Sequence, residues 1–391
     1  MASPKRHPGG CQCGPAGLSE GAMRIALIAT HHSDYAANLA RALAIDHEVM
    51  LVLSRRSAGR QIEPEALSLL RSSVRVKIVP HHYAPLQPLV ARLCQWHIAR
   101  FRPDIVHVQE HPTRSMGLLA RHLGSKLPLV TTVHDPKPHS GGDSKAADAF
   151  ARFYADLRGR SDGLIVHGQA LIDMLAQTGV PRSKIRSIMH GVLRFGHQQP
   201  DAAAPPTVPP SLNAHRLIFF GRVEAYKGLD TLLAANVIWR REGVPIKLLI
   251  AGTGPDLDRH RDALRVPNIT LMQGRIPQDA LAGLVGESLA AILPYHDATQ
   301  SGVIASAFGA GRPVIATDVG ALAEAVGDAG LIVPPQAPEA LAEAGRAIVE
   351  NERLRQQLER AVAARVEGPL GWDEIAAETA VFYRELLFDR A

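Results

Sequence analysis

The strongest constraint on this chain is a rhythm of short apolar runs separated by helical stretches, which stops once and then restarts. The first series of runs is Arg24–Ala29 (RIALIA), Glu48–Leu53, Val74–Val79, Asp104–Val108, Leu129–Val133 and Gly163–Val166. Each is short and rich in β-branched residues, as suits a strand covered on both faces. Helices are predicted at Tyr35–Ala44, Pro88–Arg100, Met116–Leu123, Ala146–Leu157 and Ala170–Thr178. Residues 196–213 break the rhythm with five prolines and no amphipathic period, which marks a linker. The second series runs Leu217–Phe220, Lys247–Ala251, Ile269–Met272, Ala290–Leu293, Val314–Ala316 and Leu331–Val333. Such alternation folds into right-handed βαβ units on parallel sheets. The fold class is therefore α/β, with two doubly wound parallel-sheet, Rossmann-like domains at 22–195 and 214–369. Their strand carboxyl ends face a shared cleft. Residues 370–391 follow a Gly368-Pro369 break and form one long amphipathic helix.

Composition narrows the classes. An apolar fraction of 46% over 391 residues can fill two cores, which excludes a disordered or collagen-like chain. No apolar run approaches the roughly 20 residues a membrane-spanning helix needs. Residues 1–21 are small, Pro- and Gly-rich, and read as a disordered leader without the apolar core of a signal peptide. The cysteines are Cys11, Cys13 and Cys94, too few for a disulfide framework, so a reducing, cytoplasmic location is expected. No His, Cys, Asp or Glu cluster has clear metal spacing, and no metal or other cofactor is expected. The net charge of +5 is uneven: residues 1–200 carry +11 and residues 201–391 carry −6. The basic half points to phosphates or an anionic membrane surface, met through Arg55, Arg56, Arg60, Arg71, Arg75 and Lys77. Nucleic acid is not expected as a partner.

Two familiar nucleotide signals are missing. No G-x-x-x-x-G-K-[ST] occurs, and Gly252-Thr253-Gly254 follows a strand but has Leu257 where a third glycine would stand. Three other segments carry chemistry. The first is Phe220-Gly221-Arg222-Val223-Glu224-Ala225-Tyr226-Lys227-Gly228, between a strand and a helix. Two cations on an open loop beside a helix N-terminus, with glycines that let backbone approach, suit a pyrophosphate. The second is Asp297-Ala298-Thr299-Gln300-Ser301-Gly302-Val303-Ile304, where a helix start would offer amides to an anion. The third is a set of histidines at strand ends: His31-His32-Ser33 and His134-Asp135, with His81, His82, His107, His111 and His190 in weaker contexts.

Taken together and in order, these segments resemble the retaining family-4 glycosyltransferases of the GT-B fold. The resemblance runs from about Met23 onward through RPDIVHVQE, PLVTTVHDP, FFGRVEAYKGLDTLL, LLIAGTGP and SGVIASAFGAGRPVIATDVG. It implies that the second domain holds a nucleotide sugar, the first domain holds a hydroxyl acceptor, and the closing helix crosses back onto the first domain. By position, Arg222 and Lys227 would bind the donor pyrophosphate and stabilise the departing nucleoside diphosphate. The amides of Ser301, Gly302 and Val303 would hold its distal phosphate, with Gly221, Gly252, Gly254, Asp297, Thr299 and Gln300 around it. Gly274, Arg275 and Ile276 would meet the nucleobase, and Ser306 the ribose. His134 would lie near the reacting carbon, with His31, His32 and Ser33 on the acceptor side. Many members carry two glutamates where this chain has Ala298 and Ser306, and a Gly-Gly pair where it has His31-His32. The expected activity is sugar transfer from a UDP- or GDP-linked donor to a lipid-linked or polysaccharide precursor, without metal, with peripheral contact at the inner membrane face. The alternatives are a silent sugar-nucleotide-binding partner and another GT-B enzyme such as an epimerase.

Overall fold

A computed structural model describes residues 21–81, 84–111, 113–123, 126–137, 142–193 and 215–390. The expected leader, apart from Gly21, and the linker at 196–213 lie outside the described residues.

The first sheet contains β1 (Arg24–Ala29), β2 (Glu48–Ser54), β3 (Arg75–Val79), β4 (Ile105–Gln109), β5 (Leu129–Thr132), β6 (Gly163–Val166) and β7 (Ile185–Ser187). Its spatial order is β3-β2-β1-β4-β5-β6-β7. The second contains β8 (Arg216–Arg222), β9 (Lys247–Thr253), β10 (Ile269–Gln273), β11 (Ala290–Leu293), β12 (Val314–Thr317) and β13 (Gly330–Val333), in the order β10-β9-β8-β11-β12-β13. All paired strands are parallel. Strand order reverses direction beside β1 and beside β8, so each sheet opens a crevice at the carboxyl ends of those strands. The central strands are buried on both faces, as their unbroken apolar runs require.

Several boundaries differ from expectation. The first helix is Ser33–Leu43, starting two residues earlier than its apolar period suggests, because His32 takes a left-handed conformation (φ 52°) and turns the chain at once. Strand β7 was not anticipated; three residues, Ile-Arg-Ser, at a sheet edge give no apolar run. The expected basic stretch from Arg55 to Lys77 contains two helices, Arg55–Gln61 and Pro64–Ser73, before β3. It is therefore not one patch. Arg56 and Arg60 follow the carboxyl end of β2, while Arg75 opens β3 at the opposite end of the sheet.

The closing helix Trp372–Phe388 packs on the first domain, not the second. Its Ile375, Ala376, Ala380, Phe382 and Tyr383 enter the core formed by β1, β2 and the helix Ser33–Leu43. Trp372 Nε1 donates to Val192 C=O at 2.8 Å. Gly163 makes room for this docking: a Cβ there would sit 2.5 Å from Phe382 Cζ and 2.8 Å from Leu386 Cδ1. Gly163→Ala should therefore cost about 1–3 kcal/mol of stability through overpacking. Thermal unfolding would show a lowered Tm; an unchanged Tm would mean the helix is not held there.

Candidate functional site

Strand β8 ends at Arg222, and the chain then makes a tight turn through Ala225–Lys227 into the helix Leu229–Arg241. Gly228 joins turn to helix at φ 70°, and a Cβ there would lie 1.8 Å from Pro294 O. Two hydrogen bonds knit this turn to the loop after β11. His296 N–H donates to Tyr226 C=O at 2.7 Å, and Lys227 Nζ donates to Tyr295 Oη at 2.8 Å. Lys227 also lies 4.1 Å over the Tyr295 ring and is buried. This corrects the expectation of an open loop for both cations: Arg222 is exposed, with Nη2 3.4 Å from Tyr226 Oη, but Lys227 is held in the wall.

The glycines beside them have a packing reason. A Cβ on Gly252 would meet Gly221 O at 1.9 Å, and one on Gly254 would meet Val223 O at 2.0 Å. The ends of β8 and β9 thus approach backbone to backbone. A Cβ on Gly221, at φ 108°, would lie 3.7 Å from Val303 Cγ2, so the first motif lies against the second. Gly274 N–H donates to Gly252 C=O at 2.8 Å, carrying that edge on to Arg275 and Ile276. Arg275 is exposed and its Nη2 donates to Arg60 C=O of the first domain at 3.1 Å. Ile276 is partly buried against the second core.

In the second motif Ser301 caps the helix Gly302–Gly309. Its Oγ accepts from Val303 N–H at 3.2 Å, and Ile304 N–H donates to Ser301 C=O at 3.1 Å. The expected three-amide cradle is therefore reduced, because the Val303 amide is already occupied by the cap; the Ser301 and Gly302 amides remain at the helix start. Gln300 keeps a buried Oε1 without a hydrogen-bond partner among the described residues. Asp297 is exposed, while Ala298 and Ser306 are buried. Thr299 is buried, and its Oγ1 donates to Asp135 of the first domain.

That bond sets His134 beside the second motif. His134 is 2% exposed and stacks on His32, with ring centroids 3.8 Å apart. Tyr35 and His167 pack on its other sides at 5.1 and 4.9 Å. Its Nε2 is 2.9 Å from Gln109 Oε1, which requires the proton on Nε2 and leaves Nδ1 as a lone pair. Nδ1 is buried and has no hydrogen-bond partner among the described residues. Burial first, then neighbouring imidazoles led by His32, hold His134 well below its ordinary pKa, so it is neutral. His31 stacks at 5.2 Å on His111, near Asp135. Ser33 departs from its expected acceptor role: it is fully buried, with Oγ donating to Ser57 Oγ and N–H to Gln61 Oε1, both at 2.7 Å.

Known proteins match this arrangement. A model described as "Glycosyltransferase Family 4" covers residues 32–192, and one described as "Glycosyl transferases group 1" covers residues 214–351. Together they span about three quarters of the chain; the first covers β2 to β7 and the second β8 to β13. The chain belongs to the GT-B glycosyltransferases. A "Glycogen synthase" of Mycobacterium tuberculosis is 29% identical over 296 residues, which cover 72% of this chain and 69% of that protein. Among solved structures, sucrose-phosphate synthase from Thermosynechococcus elongatus covers 94% of this chain and 100% of its own at TM-score 0.68 and 21% identity. Anabaena Alr3699/HepE, crystallised with UDP-glucose, covers 93% of this chain and 100% of its own at TM-score 0.67 and 15% identity.

Two side chains of this glycosyltransferase's cleft escaped the sequence reading. Arg158 and Glu110 form a buried two-pronged ion pair, Nε–Oε1 2.7 Å and Nη2–Oε2 2.8 Å. Arg158 also donates to Pro136 C=O at 3.0 Å and Asp135 C=O at 3.2 Å, and so fixes the loop that carries His134. Glu110 directly follows β4, so its position at a strand end was a usable signal; Arg158, 48 residues away at the end of a helix, gave none.

Loss of Arg222 or Lys227 should each remove about 2–4 kcal/mol of transition-state stabilisation, the range for one fixed charge. Their effects on folding should separate. Arg222→Ala leaves Tm unchanged, whereas Lys227→Ala strips Tyr295 Oη of its partner and costs about 1–3 kcal/mol of stability. Steady-state kinetics beside thermal melts of both variants check this; wild-type turnover in either would remove it from the site.

The buried imidazoles also set a pH response. Burial lowers His167 to about 3, His190 to about 4 and His107 to about 3. The unfolded chain binds protons near pH 6.5 that the folded chain refuses, so stability is full above about 6.5 and falls toward 4. Each such histidine contributes a slope of up to about 1.4 kcal/mol per pH unit. Urea unfolding between pH 7 and 5 should show this decline; a flat profile would mean these rings are charged in the folded state.

Proposed function

We propose that this chain transfers a sugar, with retention at the anomeric carbon, from a UDP- or GDP-linked donor to a hydroxyl acceptor. One observation carries the reading: the Thr299–Asp135 bond joins the loop of neutral His134 to the helix start beside Arg222 and Lys227. A donor laid along that seam has its pyrophosphate against two cations and the Ser301 and Gly302 amides. Its sugar then lies under His134, whose Nδ1 lone pair can accept a hydrogen bond from a sugar hydroxyl. Binding of UDP-glucose by the similar Alr3699/HepE supports a nucleotide-sugar donor.

The reaction follows from the charges. The bond between the anomeric carbon and the phosphate oxygen breaks while negative charge grows on the leaving group, where Arg222 and Lys227 wait. The acceptor oxygen forms its bond on that same face and passes its proton to the departing phosphate oxygen, so configuration is kept. Two fixed cations and a helix start balance the roughly two charges of a pyrophosphate, so no divalent ion is called for. The basic first half favours an acceptor carried on a lipid or an acidic polymer, reached from the cytoplasmic membrane face.

A second reading keeps binding without turnover, and Ala298 and Ser306 at the two glutamate positions favour it. A panel of nucleotide sugars tests both readings. One donor should raise Tm and release nucleoside diphosphate when acceptor is added, with an unchanged rate in excess chelator and an axial or equatorial product linkage matching the donor by NMR. Binding without release selects the silent reading; chelator loss restored by Mg²⁺ removes metal independence.

A further inference from the structure

The strands β3, β7, β10 and β13 edge the two sheets, and all but β10 are guarded against pairing with another chain. Strand β3 carries Arg75 and Lys77. Strand β7 is only three residues long. Strand β13 has four residues and stops at Pro334-Pro335, which have no N–H to offer. Strand β10 has none of these devices. Its sequence, Ile-Thr-Leu-Met-Gln, holds no charge and no proline. Every residue after Ile269 is exposed, with Leu271 at 38% and Met272 at 37%. The helix that precedes it, Pro255–Arg259, has five residues, too short to roof a strand of that length.

The phase of the ladder tells which backbone groups of β10 remain open. Leu248 N–H donates to Asn268 C=O and Gly274 N–H donates to Gly252 C=O, both at 2.8 Å. Alternate residues of a parallel strand turn both of their backbone groups to the same side. Residues 268, 270, 272 and 274 therefore serve β9, while Ile269, Leu271 and Gln273 turn theirs to the open edge. Ile269 N–H is already taken by Val266 C=O at 3.0 Å. What remains is the N–H and C=O of Leu271, the N–H and C=O of Gln273, and Ile269 C=O; none of them is bonded among the described residues.

We propose that two copies of this chain pair through β10, antiparallel about a two-fold axis at Leu271, so that the two second-domain sheets join edge to edge. In this register the edge is complementary to itself. Each Leu271 gives its N–H to the other's C=O, and each Gln273 N–H meets the other's Ile269 C=O. The one donor already spent, Ile269 N–H, leaves only Gln273 C=O outside the ladder. The side chains agree: Leu271 packs on Leu271 on one face, and Thr270 lies opposite Met272 on the other. No charged residue stands between Val266 and Gly274, so the strands set no like charges against each other. A two-fold contact also closes on itself, where a head-to-tail one would grow into a filament. A ladder this short covers less than the roughly 800 Å² per partner of a standard interface, so the dimer dissociates at about micromolar concentration. Strand β10 runs directly into Gly274 and Arg275, so pairing would hold that edge of both clefts. The inference rests on this edge and does not depend on the donor chemistry.

The test uses the full chain. Light scattering on gel filtration, loaded from roughly 1 to 200 μM, should show a monomer passing to a dimer and no larger species. Leu271→Lys places a charge at the axis and should weaken dimerisation at least tenfold. Ile332→Lys, on the β13 edge and equally exposed, should leave it unchanged. Both side chains are exposed, so Tm should hold in each. Register is read by cross-linking in the Cys11→Ser, Cys13→Ser background. Leu271→Cys should oxidise to a disulfide-linked dimer, since residue 271 would face its own copy at a Cα separation of about 5.5 Å. Thr270→Cys should stay monomeric on a non-reducing gel, because its counterpart lies diagonally across the ladder, beyond disulfide reach. A monomer at every concentration, a Leu271→Lys variant that dimerises as wild type, or cross-linking equal at 270 and 271 would overturn the proposal. Species that keep growing with concentration would overturn it too, as they would mean head-to-tail association.

Discussion

Both sheets are wholly parallel in their paired strands, and that single arrangement controls where everything else can go. A parallel strand must be re-entered from its far end, so each helix returns the chain and every strand-to-helix loop emerges at one edge. Arg222, the Asp297–Val303 loop, His134 and the His31–Ser33 loop all follow strand carboxyl ends. Among the described residues the two edges meet through bonds that include Thr299 to Asp135, Arg275 to Arg60 C=O, Gln169 N–H to Glu324 at 2.6 Å and Leu193 N–H to Ala305 C=O at 3.1 Å. Ala321 of the second domain is also buried in the apolar cluster of Val133, Leu164 and Val166, so the seam is packed as well as hydrogen-bonded.

Within the cleft the two walls are built differently. The second-domain wall is backbone against backbone, with Gly228, Gly252 and Gly254 at positions where a Cβ would fall within about 2 Å of a carbonyl. The wall is therefore rigid without relying on side chains. The first-domain wall is a nest of rings, Tyr35, His32, His134, His167 and His190, each within about 6 Å of its neighbours. These rings are kept neutral by burial. The polar relay behind them runs from Tyr383 of the closing helix through His107, at 2.5 Å, to Thr132, at 2.7 Å, two residues before His134. The closing helix thus supports the site as well as the domain it covers.

The positions of the strands along the chain, and of the first two motifs at a strand end and a helix start, were legible because both are local. An apolar run between turn residues reads as a strand wherever it pairs. A cation pair between a strand and a helix reads as an anion site. Lys227 was misplaced on an open loop because its cover, Tyr295, comes 68 residues later. Ser33 was misplaced because its partners, Ser57 and Gln61, belong to a helix whose basic, Gly-containing sequence gave no apolar period.

By itself the sequence determined two parallel-sheet α/β folds in series, and a cationic loop and helix start in the second. Apolar period, glycine and proline punctuation and strand-end position are all properties of neighbouring residues. Only the tertiary structure decided that Asp135 meets Thr299, 164 residues away, that Arg158 and Glu110 brace the His134 loop, and that His107 answers to Tyr383 across 276 residues. Such pairs are selected by low-dielectric burial and by the need to satisfy each buried polar group, and neither leaves a pattern along the chain.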